Sequence, residues 1–308
     1  MTNLLASISL PIPERALASD DPADILTFAV KAFAQGGVAI ATLVDIRGGA
    51  ARALGSHVVV AADGRFCGYV SGGCVEAAVA AEALLAMDEG RDRTVKFGAG
   101  SPFIDIVLPC GGGITILIHV LREITGIVDV LDALKQRRAI GLRYGSTTQS
   151  LDTVKPVTRA GWEGSDFVTV YRPATRVVLS GQTVEAQTTA RMAQTAGYDV
   201  MMRGLGDVVR LSNDIDPYTA VILLHHDLDQ EETLLGVALR SSAFYIGALG
   251  STRTHRRRIE RLQNMGFSET DSSRIKAPIG VFGPTRDASS LALSVLADIA
   301  ATRLMVYA

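Results

Sequence analysis

Arg176-Val177-Val178-Leu179-Ser180-Gly181-Gln182-Thr183-Val184-Glu185-Ala186 decides the fold: a short apolar run, a glycine turn and the opening of a helical pattern. From here the chain alternates. Strands are expected over residues 177–179, 198–202, 220–225 and 244–246, and helices over 184–196, 230–240, 252–265 and 288–303. Strands that alternate with helices make a parallel sheet, because each parallel connection needs a crossover long enough to hold a helix. Residues 173–308 therefore read as a Rossmann-like parallel-sheet domain.

The turn that opens this half is a degenerate dinucleotide motif. Thr183 puts a branched Cβ where a second glycine would let a pyrophosphate approach the backbone. Glu185 adds negative charge to a helix start that would otherwise attract phosphate. The ribose-binding acid expected about 20 residues further on is missing, since the second strand runs out in Met201-Met202-Arg203-Gly204. Arg203 is left to meet a 2′-phosphate, and the balance is against NAD(P). A second glycine turn, Gly247-Ala248-Leu249-Gly250-Ser251, precedes a helix carrying Arg253, Arg256, Arg257, Arg258 and Arg261. It reads as a phosphate contact, against the alternative of a solvated basic face. His225-His226-Asp227 ends the middle strand, where parallel sheets place their ligands.

Upstream, residues 136–172 read as a structured linker: strands at 139–144 and 167–171 with a polar stretch between them. Residues 1–135 mix a sheet with helices. Asp20-Asp21-Pro22 opens a helix in which Ile25, Phe28, Ala29, Ala32 and Phe33 recur at helical spacing, and a second helix covers residues 127–135. Strands are expected at 38–45, 58–61, 66–70, 94–97, 103–108 and 114–121, with Asp63-Gly64 as a hairpin turn. Residues 1–19 are an arm free to pack on another element.

Two glycine-cysteine turns fall in this block. Ser71-Gly72-Gly73-Cys74-Val75-Glu76 leads into an alanine-rich helix, and Pro109-Cys110-Gly111-Gly112-Gly113 lies between apolar runs. Glycines let backbone N–H groups converge, and a cysteine at a helix start is a better nucleophile or soft-metal ligand than one in a core strand. Against this stands the ordinary buried cysteine beside a tight turn. Asp45, Arg47, His57 and Asp105 are candidate partners nearby, with His57 read as a strand-end residue and given no role.

Composition narrows the class. With 308 residues, 48% hydrophobic, the chain fills about two domains, and a formal net charge of −2 gives no general attraction to nucleic acid or membrane. Three cysteines, Cys67, Cys74 and Cys110, are too few for a disulfide framework. Apolar runs such as residues 114–121 are too short to span a bilayer, and no leader pattern opens the chain. A soluble cytoplasmic protein is expected.

Taken together, these residues resemble the XdhC/CoxI family, the accessory proteins of molybdenum hydroxylases such as xanthine dehydrogenase. The resemblance rests on residues 62–65, 68–76 and 108–112 in the first half, and on residues 244–251, Thr254 and 277–280 in the second. It implies an N-terminal XdhC/CoxI-type α+β domain and a molybdenum cofactor-binding chaperone. Such a chaperone protects the cofactor, supports its sulfuration and hands it to an apo molybdenum hydroxylase, with a cysteine desulfurase as a further partner, a homodimer as assembly, and no turnover of its own. The thiols facing the metal would be Cys110 first and Cys74 second. Gly72, Gly73, Gly111 and Gly112 would supply donors, and Gly247, Gly250, Ser251 and Arg253 would make the second anion contact. The chain departs from the family at Gly181-Gln182-Thr183, where a Gly-x-Gly turn is usual, and at Lys276, where a histidine is frequent. The competing readings are an NAD(P)-dependent oxidoreductase and a thiol enzyme with His57 or His225 as base.

Overall fold

The computed structural model describes residues 10–101, 111–204, 212–225 and 227–307. The chain divides into two compact units, Met1–Arg172 and Pro173–Ala308. In the first, strands β1 (Glu14–Leu17), β2 (Val38–Arg47), β3 (His57–Ala61), β4 (Arg65–Gly68), β5 (Arg93–Gly98) and β6 (Gly113–Val120) form one sheet in the order β1-β4-β3-β2-β6-β5. The hairpin expected at Asp63-Gly64 joins β3 to β4, with Gly64 at φ +91° as a tight turn requires. The N-terminal arm is not loose throughout: Glu14–Leu17 adds to the sheet edge as a parallel partner of β4.

Strand β2 shows how the sheet is sandwiched. Side chains alternate across a strand, so Ala39, Ala41 and Leu43 face one side while Val38, Ile40 and Val44 face the other. The first set packs under helix α2 (Glu76–Glu89), through Val79, Ala80 and Ala83. Of the second set, Val38 and Ile40 meet helices α1 (Pro22–Phe33) and α3 (Thr125–Lys135), through Ile25, Leu26, Ala29, Ile127 and Val130, while Val44 packs with Leu117, Tyr144 and Phe167. Both faces are covered, which is why β2 reads as an unbroken apolar run.

The segment expected as a linker is a second sheet. Strands β7 (Ile140–Gly145), β8 (Ser150–Val154), β9 (Gly161–Glu163) and β10 (Asp166–Tyr171) pair antiparallel in the order β8-β7-β10-β9, and Tyr144 and Phe167 pack on Val44 and Leu117 of the larger sheet. The polar composition that hid it belongs to β8 and β9, whose side chains are largely half-buried or exposed.

The second unit is a parallel sheet of β11 (Arg176–Ser180), β12 (Asp199–Arg203), β13 (Thr219–Leu223), β14 (Tyr245–Ala248) and β15 (Ile275–Lys276), ordered β12-β11-β13-β14-β15. Helices α4 (Val184–Thr195), α5 (Leu228–Arg240), α6 (Thr252–Asn264), α7 (Glu269–Ser273) and α8 (Ala288–Tyr307) connect or follow the strands. By length and composition α8 is apolar enough to cross a membrane, contrary to the sequence expectation. Its Leu291, Val295 and Ile299 instead join the core with Ala186, Ala190 and Ile222, and its Asp298 accepts a hydrogen bond from Tyr245 at 2.8 Å.

Candidate functional site

In the first unit, strand direction gathers the loops. Chain order and pairing put Arg47 opposite Gly113 and Gly98 opposite Gly113, so the end of β2, the end of β5 and the start of β6 coincide. Strand β4 runs the same way as β5 and delivers residues 69–75 to that end. The contacts between loops are close. A Cβ on Gly48 would lie 3.5 Å from Gly112 Cα, one on Gly112 would lie 2.4 Å from Gly49 O, and one on Gly72 would lie 3.6 Å from Ala51 Cβ. Arg52 Nε reaches Ser71 O at 3.4 Å. Thus the loop of residues 48–52 touches both glycine-cysteine turns. Cys110, like Asp105 and the strand expected at 103–108, lies outside the described residues.

The Cys74 turn is built around Ser71. Ser71 Oγ accepts from the amides of Gly73 and Cys74, both at 3.2 Å, and donates into the Glu76 carboxylate at 2.8 and 2.9 Å to its two oxygens. Glu76 is buried, and its Oε1 also accepts from Val70 N and Ser71 N at 3.1 and 2.8 Å. The amide of Gly73, expected as a ligand donor, and that of Cys74 are therefore spent inside the turn. What the turn presents outward is sulfur. Cys74 is exposed, with Sγ 3.4 Å from Ser71 Oγ, whereas Cys67 is buried in β4 and burial pushes its thiol pKa up.

Three arginines line this end in different states. Arg47 is braced, donating to Asp45 Oδ2 (2.9 Å), Thr115 Oγ1 (2.8 Å), Ala99 O (3.2 Å) and Ile114 O (3.4 Å). Arg52 pairs with Asp20 at 2.6 Å and sits 5.1 Å from the centre of the Tyr69 ring, which Arg15 also covers at 4.2 Å. Arg52 has no glycine or cysteine beside it in sequence, and nothing in its own loop marks it.

Deeper in the same unit lies a polar pair of clusters around one small cavity. His57 bridges Thr42 Oγ1 (3.0 Å) and the Tyr171 hydroxyl, and burial lowers its pKa to about 4. His119 Nδ1 and the Tyr144 hydroxyl both meet Asp92 Oδ2 at 2.8 Å. Burial pushes the Asp92 carboxyl up, but His119, the Val120 amide and Tyr144 together hold it below its usual range. The cavity is lined by His57, His119, Tyr144 and Thr42 among apolar neighbours. Sequence reading missed Asp92 and His119, which the register of β5 against β6 brings together and the packing of β7 on the larger sheet brings to Tyr144.

The second unit carries its turns at the carboxyl ends of its strands. From β11 the chain goes to one neighbour, β12, and then crosses to the other, β13, so the topological switch lies between β11 and β13. There Ser180 Oγ meets His225 Nε2 at 2.8 Å. Gly181 (φ +148°) passes 2.8 Å from Leu224 O, measured from the Cβ it lacks. Thr183 caps α4 by accepting from Ala186 N at 3.3 Å, so one amide a phosphate would use is occupied. At the other turn Ser251 likewise caps α6, accepting from Thr254 N at 3.2 Å, and Gly247 is required because a Cβ there would meet Ile279 and Tyr245 side chains within 2.7 Å. The basic helix divides in two. Arg258 is buried against Glu231 and donates to Leu249 O at 2.6 Å, Arg261 pairs with Asp229 and Glu232, and Arg253, Arg256 and Arg257 stay exposed. Among the described residues no group of three or more His, Cys, Asp or Glu stands ready to hold a metal ion.

Two family models match, XdhC and CoxI family over residues 33–98 and XdhC Rossmann domain over residues 177–299. An Escherichia coli K12 protein, the molybdenum cofactor insertion chaperone PaoD, is 50% identical over 293 residues, covering 95% of this chain and 92% of that one. The chain belongs to the XdhC and CoxI family. The uncharacterized E. coli protein YqeB is 27% identical over 85% of this chain, which spans 42% of YqeB. A Bacillus halodurans crystal structure described as a xanthine dehydrogenase superposes with a TM-score of 0.72 at 18% identity, over 92% of this chain and 96% of that one, and so shares the fold. The first family match contains Gly72, Gly73 and Cys74, and the second contains Gly247, Gly250, Ser251 and Arg253.

Proposed function

We propose that this XdhC/CoxI family member binds the molybdenum cofactor as cargo, protects it through sulfuration and inserts it into an apo molybdenum hydroxylase of the xanthine dehydrogenase type. The observation that carries the reading is the convergence at one end of the larger sheet. Loop 48–52 touches both the Cys74 turn and the Gly111-Gly112 turn, and an exposed sulfur stands there. Half-identity to a molybdenum cofactor insertion chaperone along nearly its whole length supports the same cargo and its insertion into an apoenzyme.

The chemistry fits the cargo. A molybdenum centre with sulfur ligands is met by a soft thiolate, and an exposed turn lets the cofactor enter and leave without unfolding the chain. Cys74 and Cys110 are the thiols assigned to it, Gly111 and Gly112 frame the second, and the cofactor is held without turnover. The Gly250-Ser251-Arg253 turn of the second unit is assigned a phosphate contact through its exposed arginines. NAD(P) is disfavoured by the Thr183 cap. A cysteine desulfurase supplies sulfur, the protein works in the cytoplasm, and a copy of itself covers the open edge of the β11–β15 sheet.

Molybdenum and pterin content after incubation with isolated cofactor tests the reading. Near-stoichiometric retention that falls in Cys110→Ser and in Cys74→Ser is the expected result. Absence of retention by the unmodified chain overturns it, and light scattering of a strict monomer overturns the dimer.

A further inference from the structure

We propose that Arg52 is the anion contact of the sulfur-presenting end, and that Asp20 holds it in the ligand-free state. The inference rests on the cargo reading for its biological ligand, but its geometry is independent. Of the three arginines at this end, Arg47 is consumed by four hydrogen bonds and braces β2 against β6, and Arg15 donates to Gly68 O at 3.0 Å and lies over the Phe66 and Tyr69 rings. Arg52 is not consumed in this way. Its Nε contact to Ser71 O is long, at 3.4 Å, its Nη1 meets Asp20 at 2.6 Å, and its Nη2 has no partner among the described residues.

The Asp20 pair is easily exchanged. The two side chains are 31% and 64% exposed, and exposed ion pairs contribute little because water competes for both groups. The Arg52 guanidinium is nevertheless kept in place. It lies over the Tyr69 ring, and its Nε stays on the carbonyl of the residue whose hydroxyl organises Cys74. A planar fork held on a carbonyl of the turn that presents the thiol, opposed by one replaceable carboxylate, suits a bidentate phosphate or an oxyanion. Both chemistries occur in a phosphorylated pterin carrying an oxygen-bearing metal. Asp20 then acts as an internal competitor: it leaves when the anion arrives and returns when the cargo departs.

The test reads the field at Cys74 without any cofactor. Iodoacetate and iodoacetamide both alkylate the thiolate, so the ratio of their rates at Cys74, followed by peptide mass spectrometry on the full-length protein, cancels thiolate fraction and reports local charge. Arg52→Gln is expected to lower the ratio about twofold and Asp20→Asn to raise it about twofold, the size of one screened surface charge. Arg52→Lys should retain most of the ratio. Inorganic phosphate should slow alkylation by iodoacetate in the unmodified protein and not in Arg52→Gln. Protection by molybdate in place of phosphate assigns the contact to the metal oxyanion. A ratio indifferent to both Arg52→Gln and Asp20→Asn, in variants with unchanged circular dichroism, overturns the proposal. Because no pterin is involved, the two readings fail separately. Cofactor retention unaffected by Arg52→Gln sinks the anion contact alone, and an Arg52-dependent ratio without any retention sinks the cargo reading alone.

Discussion

Ser71 is where the site is most exposed to a single change. Its hydroxyl accepts from the amides of Gly73, Cys74 and Val75 and donates into a carboxylate that is 1% exposed, so Ser71→Ala removes the acceptor of three amides, that of buried Val75 included, and a donor to the Glu76 carboxylate at once. Leaving such groups unpaired is costly, and Ser71→Ala is expected to lower stability by about 2 kcal/mol in urea unfolding. A midpoint unchanged from the parent would mean that Glu76 alone holds the turn. His57 makes a different prediction, in pH. Its folded pKa, about 4, lies below the ordinary histidine value of 6.5 because burial disfavours the charged ring. Between these values the unfolded chain takes up a proton that the folded chain refuses, so stability is complete above about 6.5 and falls as pH drops toward 4. The loss is on the order of 2–3 kcal/mol across that window. Asp92, whose carboxyl is held low, stays ionised there and contributes its own loss only at lower pH. His57→Gln should flatten the slope between pH 6.5 and 4. An equal slope in the variant would assign it to other groups.

At the scale of elements, α5 and α6 are joined by a buried pair, Glu231 with Arg258, whose guanidinium also holds Leu249 O in the Gly250 turn. Breaking one side of a buried pair leaves an uncompensated charge. Arg258→Met is expected to cost about 3–5 kcal/mol, and Glu231→Gln added to it should recover part of that loss, as urea unfolding of the single and double variants would show. A double variant no more stable than the single would locate the cost in packing. The same pair shows where sequence reading ends. The alternation of 177–179, 184–196, 198–202 and 220–225 was enough for the parallel sheet, because the two central strands there are apolar runs and helical spacing fills the connection between them. The arginine run of α6 was not enough, because helical spacing does not say which arginines face α5. Strands β1, β8, β9 and β15 escaped for one reason: short edge strands bury little, so their side chains carry no two-residue apolar rhythm. The glycines announced the Cys74 turn. That Ser71 would claim its amides is a matter of local turn geometry, and that Asp92 would gather His119 and Tyr144 from 27 and 52 residues away depends on the register of β5 against β6 and on how β7 packs on the larger sheet.

At the scale of the molecule, each unit carries its own sheets and its own apolar cores, so each has what a separate cooperative transition requires. The chain supplies a probe that sees only one of them. Its single tryptophan, Trp162, lies in the first unit, half-exposed, with its indole N–H on Val44 O at 3.1 Å and Phe167 against its ring. Indole fluorescence therefore follows the first unit, while far-ultraviolet dichroism follows both. Arg258→Met should split the two signals in urea: dichroism loses amplitude early as the second unit unfolds, and fluorescence keeps its parent midpoint. Lowering the pH from 6.5 toward 4.5 should do the reverse, pulling the fluorescence midpoint down through His57 and closing the gap. Fluorescence and dichroism that stay superimposed under both changes would show that the chain unfolds as one cooperative body, and that the Cys74 end is stabilised by the whole protein rather than by the unit that carries it.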